Sequence, residues 1–298
     1  MDMGIGAPKE TVTVTLEHGH IKLMLSKKQE VLDYRMVDAN PRLFREGMVS
    51  DPRRMANFLR SALDEMHPNV RGVFGVVPGY QTRMQNLVLP RAKGIDPKLV
   101  VPREAQRTMG VSMDTSFLAW HRLPDTMENS QWLVLTATKR AVATLNVTLT
   151  TADLKLMAIE LRPFALSRAI NRADAVVAWA ATDGCEAIVV RDWLPMSHQA
   201  AYWGAEPPVE GDVLVNRITE VTERAVVTYD QQNPNTPLPE DTPLIVTGTP
   251  VSRDPNVAQR VAVTLGRQVE EIEPPMLLPE GFPVHDMIVN LGLALWTA

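Results

Sequence analysis

Thr11-Val12-Thr13-Val14-Thr15-Leu16 and, after the turn His18-Gly19-His20, Ile21-Lys22-Leu23-Met24-Leu25 form the stretch on which the fold is read. The first run alternates with period two and the second follows across a short polar turn, so the pair predicts a β-hairpin. The same plan returns at residues 175–180 and 186–191, joined by Ala181-Thr182-Asp183-Gly184-Cys185. No residues repeat between the two stretches, only the plan. Strands interleaved with helices in two similar halves predict an α/β protein of two lobes with a cleft between them.

Working outward, a third strand is expected over 31–37. Asp51 is a good N-cap and Pro52 suits the first helical position. Met55, Phe58, Leu59, Ala62, Leu63 and Met66 then make one apolar stripe at helical spacing, and Arg53, Arg54, Arg60, Asp64 and Glu65 make the solvated face. Strands are expected at 72–77 and 84–89. Asp96-Pro97 repeats the helix-start signal, but Pro102 removes a donor, so the helix is kinked or begins near Arg103. Strands at 115–122 and 131–138, a helix at 139–149 and a strand at 154–161 close the first half. The second half reads as a helix at 163–171, the second hairpin, and a long helix striped by Leu214, Ile218, Val221 and Ala225. An Asn- and Pro-rich loop follows at 231–241, then a strand at 244–247. A helix from Asp254-Pro255 to Leu265 is stopped by Gly266, and a last helix lies near 287–296.

Composition excludes several classes. A chain of 298 residues with 45% hydrophobic and 22% charged residues can bury a large core, which removes disorder from consideration. The formal charge of −5 with no basic stripe gives no reason to expect nucleic-acid binding. Cys185 is the only cysteine, so neither an internal disulfide nor a thiolate metal cluster is available, and a reducing cytosol fits. Residues 1–9 lack the apolar core of a signal peptide. The most apolar stretches, 173–181 and 287–298, fall short of the roughly 20 residues that span a bilayer. The expected location is therefore cytoplasmic, peripheral at the inner face of a membrane only where a partner holds the chain there.

Several segments from about Val12 onward resemble the PilM family of actin-like proteins in type IV pilus assembly. Ile21-Lys22-Leu23 looks like the end of that family's first phosphate hairpin. Val76-Val77-Pro78-Gly79 followed by Leu87-Val88-Leu89-Pro90 is similar to its inserted subdomain, and Arg103-Glu104-Ala105-Gln106 to its Glu-Ala helix. Glu160-Leu161-Arg162-Pro163-Phe164-Ala165-Leu166 resembles its turn into the second lobe, and Leu291-Gly292-Leu293-Ala294-Leu295 its final helix. The resemblance implies a two-lobed actin-like (RNase H-like) fold with ATP in the cleft. The first lobe would be residues 10–49 and 131–173, an inserted subdomain 50–130, and the second lobe 174–298. The interval before Leu244 offers about one helix, 209–232, which implies a shortened lid. The implied partner is the cytoplasmic tail of a PilN-like single-span membrane protein; self-association is also in keeping with actin-like proteins.

The departures from the family pattern decide the functional expectation. The resemblance places an Asp and a Gly in each phosphate hairpin, the Asp handling magnesium and the Gly admitting phosphate oxygens to backbone N–H groups. Here those places fall on Thr15 and Glu17 in the first hairpin and on Ala178 and Ala180 in the second. The Gly-rich adenosine turn reads Thr247-Gly248-Thr249-Pro250, keeping Gly248. A Glu17 carboxylate about 5 Å from a phosphate charge would be repelled by about 3 kcal/mol at an effective dielectric near 20, a cost that His18, His20 or Lys22 would partly offset. The expectation is a non-catalytic scaffold without nucleotide or metal, a pseudo-ATPase. The alternative is an ATP-binding relative, with Mg²⁺, whose nucleotide state gates assembly. A third reading, a cytoplasmic domain like that of the type II secretion protein GspL, is disfavoured by the lack of a C-terminal membrane helix.

The remaining candidates read blandly. His18-x-His20 lacks a third ligand and reads as a solvated turn. Asp183-Gly184 is either a displaced phosphate-site pair or an ordinary hairpin turn. Cys185 reads as a small packed residue. No nucleophile elbow supports Ser-His-Asp catalysis. Trp120, Trp193, Tyr202, Trp203 and Trp296 are the aromatic candidates for a partner groove, with core as the competing assignment.

Overall fold

The computed structural model describes residues 10–17, 19–66, 72–91, 96–204 and 209–296. The chain opens with strands β1 (Thr11–Glu17), β2 (His20–Lys27) and β3 (Glu30–Asp38), followed by the two-residue pair β4 (Phe44–Arg45) and β5 (Met48–Val49). Helix α1 (Pro52–Met66), strand β6 (Gly72–Val77), strand β7 (Thr82–Pro90), helix α2 (Pro97–Met109), and strands β8 (Ser116–Leu123) and β9 (Asn129–Thr138) come next. Helix α3 (Lys139–Thr151), strand β10 (Lys155–Leu161) and helix α4 (Arg162–Ala169) lead to the second half. There the order is β11 (Ala175–Ala180), β12 (Gly184–Arg191), β13 (Leu194–Tyr202), α5 (Gly211–Gln232), β14 (Leu244–Gly248), α6 (Thr249–Arg253), α7 (Asn256–Leu265) and α8 (Val284–Leu295).

Both predicted hairpins form, and each grows into a three-stranded antiparallel meander. The first sheet runs β10-β6-β1-β2-β3, with β6 parallel to β1 and β10 parallel to β6. The second runs β13-β12-β11-β14, with β14 parallel to β11. A third sheet, β7-β9-β8, is separate and is covered by α2. By sheet and core membership, α1 and β6 belong to the first lobe, because Met55, Leu59 and Leu63 pack with Val12, Val14 and Val73. The separate unit is therefore β7 to β9, rather than the 50–130 of the sequence expectation. Phe58 leaves the expected stripe and is exposed.

Two local readings change. Helix α2 starts at Pro97 rather than near Arg103, because Asp96 caps it through Lys98 N at 2.9 Å. Val101, Ala105 and Met109 bury against the third sheet, and this packing carries the helix through Pro102. Strand β13 has no period-two signal and contains Pro195, so the sequence hid it. It is an edge strand bonded only to β12, with a register shift opposite Pro195, which is where a sheet tolerates proline.

The lobes share one core. Met24 and Val76 of the first lobe pack with Leu166 of α4, Trp179, Ile188 and Ile245 of the second sheet, and Met287 and Leu291 of α8. Helices α4 and α8 cross so closely that a Cβ on Gly292 would lie 1.8 Å from the Ala165 carbonyl oxygen. These two helices carry the polar groups of the cleft.

Candidate functional site

Alternation along β1 puts Thr13, Thr15 and Glu17 on one face, and Lys22 lies opposite Thr15 on β2. All four are buried. Asn290 of α8 satisfies the threonines: it accepts from Thr15 Oγ1 at 3.0 Å and donates to Thr13 Oγ1 at 3.1 Å and to the Lys22 carbonyl at 3.2 Å. The Lys22 ammonium is 2.5 Å from Glu17 Oε2, 2.7 Å from the Asp286 carbonyl and 3.4 Å from Thr249 Oγ1. Thus one cation of the first lobe is held by a carboxylate of its own hairpin and by two oxygens of the second lobe. The repulsion expected from Glu17 is largely neutralised, and its place is taken by occupancy: the ammonium fills the spot between the strands and the turn after β14. His18 lies outside the described residues.

The second hairpin is arranged differently. Ala178 and Ala180 pack with Ile218 and Val221 of α5, whereas Trp179 shares the side of α4 and α8. The residues here on the side of the interlobe helices are therefore Trp179 of β11 and Ala181 just past its end, one residue out from the expected Ala178 and Ala180. The polar groups on this side come from neighbours. Glu186, opposite Trp179 on β12, binds Arg162 Nη1 at 2.5 Å and accepts from Gly79 N at 2.8 Å; its other oxygen lies 3.5 Å from His198 Nε2. The Arg162 guanidinium stacks 4.0 Å from the Trp179 ring. A Cβ on Gly79 would fall 1.9 Å from Glu186 Oε2, so any side chain here would have to displace the Glu186 carboxylate from its partners. Burial opposes the charge on Arg162, but Glu186, Tyr80 and Glu17 together raise its pKa. Burial works against ionised Glu186 too, and Arg162 with His198 still holds it below the usual range. Burial drives the Tyr80 hydroxyl well up, assisted by Asp183.

Asp183 and Gly184 lie at the turn of the second hairpin, with Asp183 fully buried and Gly184 the first residue of β12. Burial raises the Asp183 carboxyl to about 6, against the pull of Arg162. Gly248 ends β14 with φ 107°, and a Cβ there would lie 1.9 Å from the Ala180 carbonyl, so the retained glycine serves a backbone contact between strands. Thr249 is drawn in by Lys22. Burial pushes the Cys185 thiol up, in keeping with a packed, unreactive side chain.

All three turns meet at one cavity of about 570 Å³ at the cleft mouth. Gly19 and His20 come from the first hairpin, Thr182 from the second and Pro250 and Arg253 from α6, with Leu214 of α5 as an apolar wall. Its charges are Asp38, Glu210 and Asp254 against Arg253 and a His20 that already contacts Asp38 at 3.1 Å. A fold of this kind implies ATP with Mg²⁺, and these residues do not fit it. The lining carries more acid than base, and the buried cations below it are paired with Glu17 and Glu186. Arg162, Glu186, Asn290 and His198 escaped the sequence reading. A lone polar residue inside an apolar run, as in Met287-Ile288-Val289-Asn290-Leu291 or Cys185-Glu186-Ala187-Ile188, is the signal that would have exposed Asn290 and Glu186; Arg162, two residues from Glu160, and His198, between Ser197 and Gln199, carry no such signal.

No protein-family model matches the chain, and no curated protein matches it. Solved structures do. The PilM-PilN type IV pilus biogenesis complex contains a chain matched with a TM-score of 0.75 at 19% identity, over 96% of this chain and 98% of that one. The cytoplasmic domain of EpsL, an inner membrane component of the type II secretion system of Vibrio cholerae, matches at 0.54 and 12%, over 97% and 95%. A Bacteroides thetaiotaomicron protein with an actin-like ATPase fold and unknown function matches at 0.50 and 10%, over 98% of both chains. The fold is actin-like. The aromatic candidates divide: Trp193, Tyr202 and Trp296 are exposed, while Trp203 is part-buried and donates to the Thr182 carbonyl at 3.1 Å. Among the described residues no helix is long and apolar enough to cross a membrane.

Proposed function

We propose that this chain is a non-catalytic, actin-like scaffold of a type IV pilus-like assembly platform, cytoplasmic and held at the membrane by the tail of a PilN-like partner. The observation that supports it most is the Lys22 ammonium, which links Glu17 to Thr249 and to the Asp286 carbonyl where the fold would place phosphates. A cleft joined by its own charges does not need a nucleotide to hold the lobes together. The likeness to a chain of the PilM-PilN complex, which runs the whole length of both, supports the assembly role. A second reading, nucleotide-gated assembly, is favoured by the cavity that all three turns still line.

Titration calorimetry with Mg-ATP separates the two. The scaffold reading expects no heat at concentrations suited to a dissociation constant of about 100 µM, and no rise in melting temperature. Saturable one-to-one binding would overturn it and favour gating. A synthetic tail of a PilN-like protein is expected to bind in the absence of nucleotide.

A further inference from the structure

The separate β7–β9 unit carries a groove of about 790 Å³, remote from the cleft. One wall is a stripe of α2, Pro97, Val100, Glu104 and Arg107, spaced so that all four share a helix face. The floor is apolar: Leu89 near the end of β7 and, on the same face of the sheet, Trp132 of β9. Leu89 is only partly covered where it packs on the buried cluster of Leu87, Val101 and Trp132, whereas Val88, opposite Gln131, faces the other side of the sheet.

The rim is charged, and its layering matters. Arg91, Arg107 and Arg122 stand out, with side chains 59%, 72% and 57% exposed. Their acidic neighbours are sunk below them, Asp125 at 15% and Glu104 at 25%. Asp125 is ion-paired with Arg122 at 2.7 Å and Arg91 at 3.9 Å, and Glu104 with Arg107 at 2.7 Å. Arg122 also covers the Trp132 ring at 5.5 Å. The carboxylates hold the guanidinium groups in place from beneath, so an approaching molecule meets guanidinium first. Residues 82–138 hold seven Lys and Arg against five Asp and Glu, whereas the whole chain holds 30 against 35. This unit is thus a basic island on an acidic protein.

We propose that this groove docks an acidic peptide segment of a partner protein, with one large aliphatic or aromatic residue seated on Leu89 and Trp132 and carboxylates on Arg91, Arg107 and Arg122. Arginine presents a fork of donors suited to carboxylates, and an apolar anchor between charged rims is the usual anatomy of a small interface. Concavity favours a peptide over a lipid surface, since a bilayer meets protruding side chains rather than a walled trough. The proposal does not rest on the scaffold reading, because it uses neither the cleft nor the Lys22 contacts.

The test uses the full chain and a dye-labelled peptide of mixed Asp, Glu, Leu and Phe, followed by fluorescence anisotropy. Saturable binding is expected, weakened about tenfold by Arg107→Glu, by Arg91→Glu or by Leu89→Asp, and weakened further by salt. Arg91→Gln and Arg107→Gln, which remove charge without reversing it, are expected to weaken binding about threefold and keep the result readable if a reversal disturbs α2. Four outcomes would overturn the proposal. They are equal binding of a peptide with Lys in place of the acids, equal binding with Ser in place of the apolar residues, preference for anionic vesicles of phosphatidylglycerol, and self-association of the chain abolished by the same variants. Absence of peptide binding by the folded chain would also overturn it.

Discussion

The two hairpins occupy equivalent places in their lobes and settle their buried polar groups by opposite routes. The first keeps polar residues on the cleft side of β1 and supplies their partners itself, Lys22 to Glu17 across the strands and Asn290 to Thr13 and Thr15 from α8. The second makes β11 apolar on both faces and moves charge to its surroundings, to Glu186 on the next strand and Arg162 at the start of α4. Both solutions join the lobes. Lys22 reaches oxygens of the second lobe, and Glu186 reaches Gly79 N of the first. A cleft can therefore be held closed by its own charges, provided each buried charge acquires a partner across the gap.

The difference predicts unequal weights. Glu186 Oε1 accepts from both Arg162 and Gly79 N, with His198 3.5 Å from its other oxygen, whereas Glu17 serves Lys22 alone; the second oxygen of each carboxylate has no hydrogen-bond partner among the described residues. Glu186→Ala strands a buried guanidinium and a buried N–H, so a loss of about 3–5 kcal/mol in denaturant unfolding is expected. The double variant Arg162→Met/Glu186→Leu should recover most of it. A loss below about 1 kcal/mol for Glu186→Ala would mean that water reaches this pair, and the comparison would fail. Lys22→Met leaves the Glu17 carboxylate alone and is expected to cost about 3 kcal/mol, with Glu17→Leu in the same chain restoring stability. If Lys22→Met instead allowed Mg-ATP to bind, the ammonium would be a plug rather than a link.

The fold was legible because its signals are local. Thr11 to Leu25 alternates around a two-residue turn, Asp51-Pro52 starts a helix, and the order of strands and helices implies two α/β halves. The cleft was legible only in part. Glu17, Lys22, Asp183 and Thr249 fall in it, but Ala175-Val176-Val177-Ala178-Trp179-Ala180 is apolar at every position, so period two gives no hint of which face is which. The true partners are distant in sequence: Arg162 and Glu186 are 24 residues apart, Thr15 and Asn290 275. No pattern within one element announces such a pair, and β13, with proline at an edge, lacks even the local signal.

The smallest expected effect concerns Asp183, and it sharpens the comparison because the first hairpin has no counterpart. Its carboxyl, held near 6 by burial, takes up a proton more readily in the folded chain than in the unfolded one, where the ordinary value is near 3.8. Between those values the folded state binds more protons, so this group makes stability fall as pH rises from about 4 to about 6, and the penalty is complete above that. The neutral side chain of Asp183→Asn removes the penalty. The variant is therefore expected to match the parent near pH 4 and to exceed it by about 2 kcal/mol near pH 7, measured by urea unfolding at each pH. Glu186 shifts in the opposite sense and is common to both proteins, so it cancels in the difference. A variant less stable than the parent at pH 7 would mean that the ionised carboxylate is wanted at this turn. Asp183 would then rank with Glu17 and Glu186 as a charge that holds the lobes together.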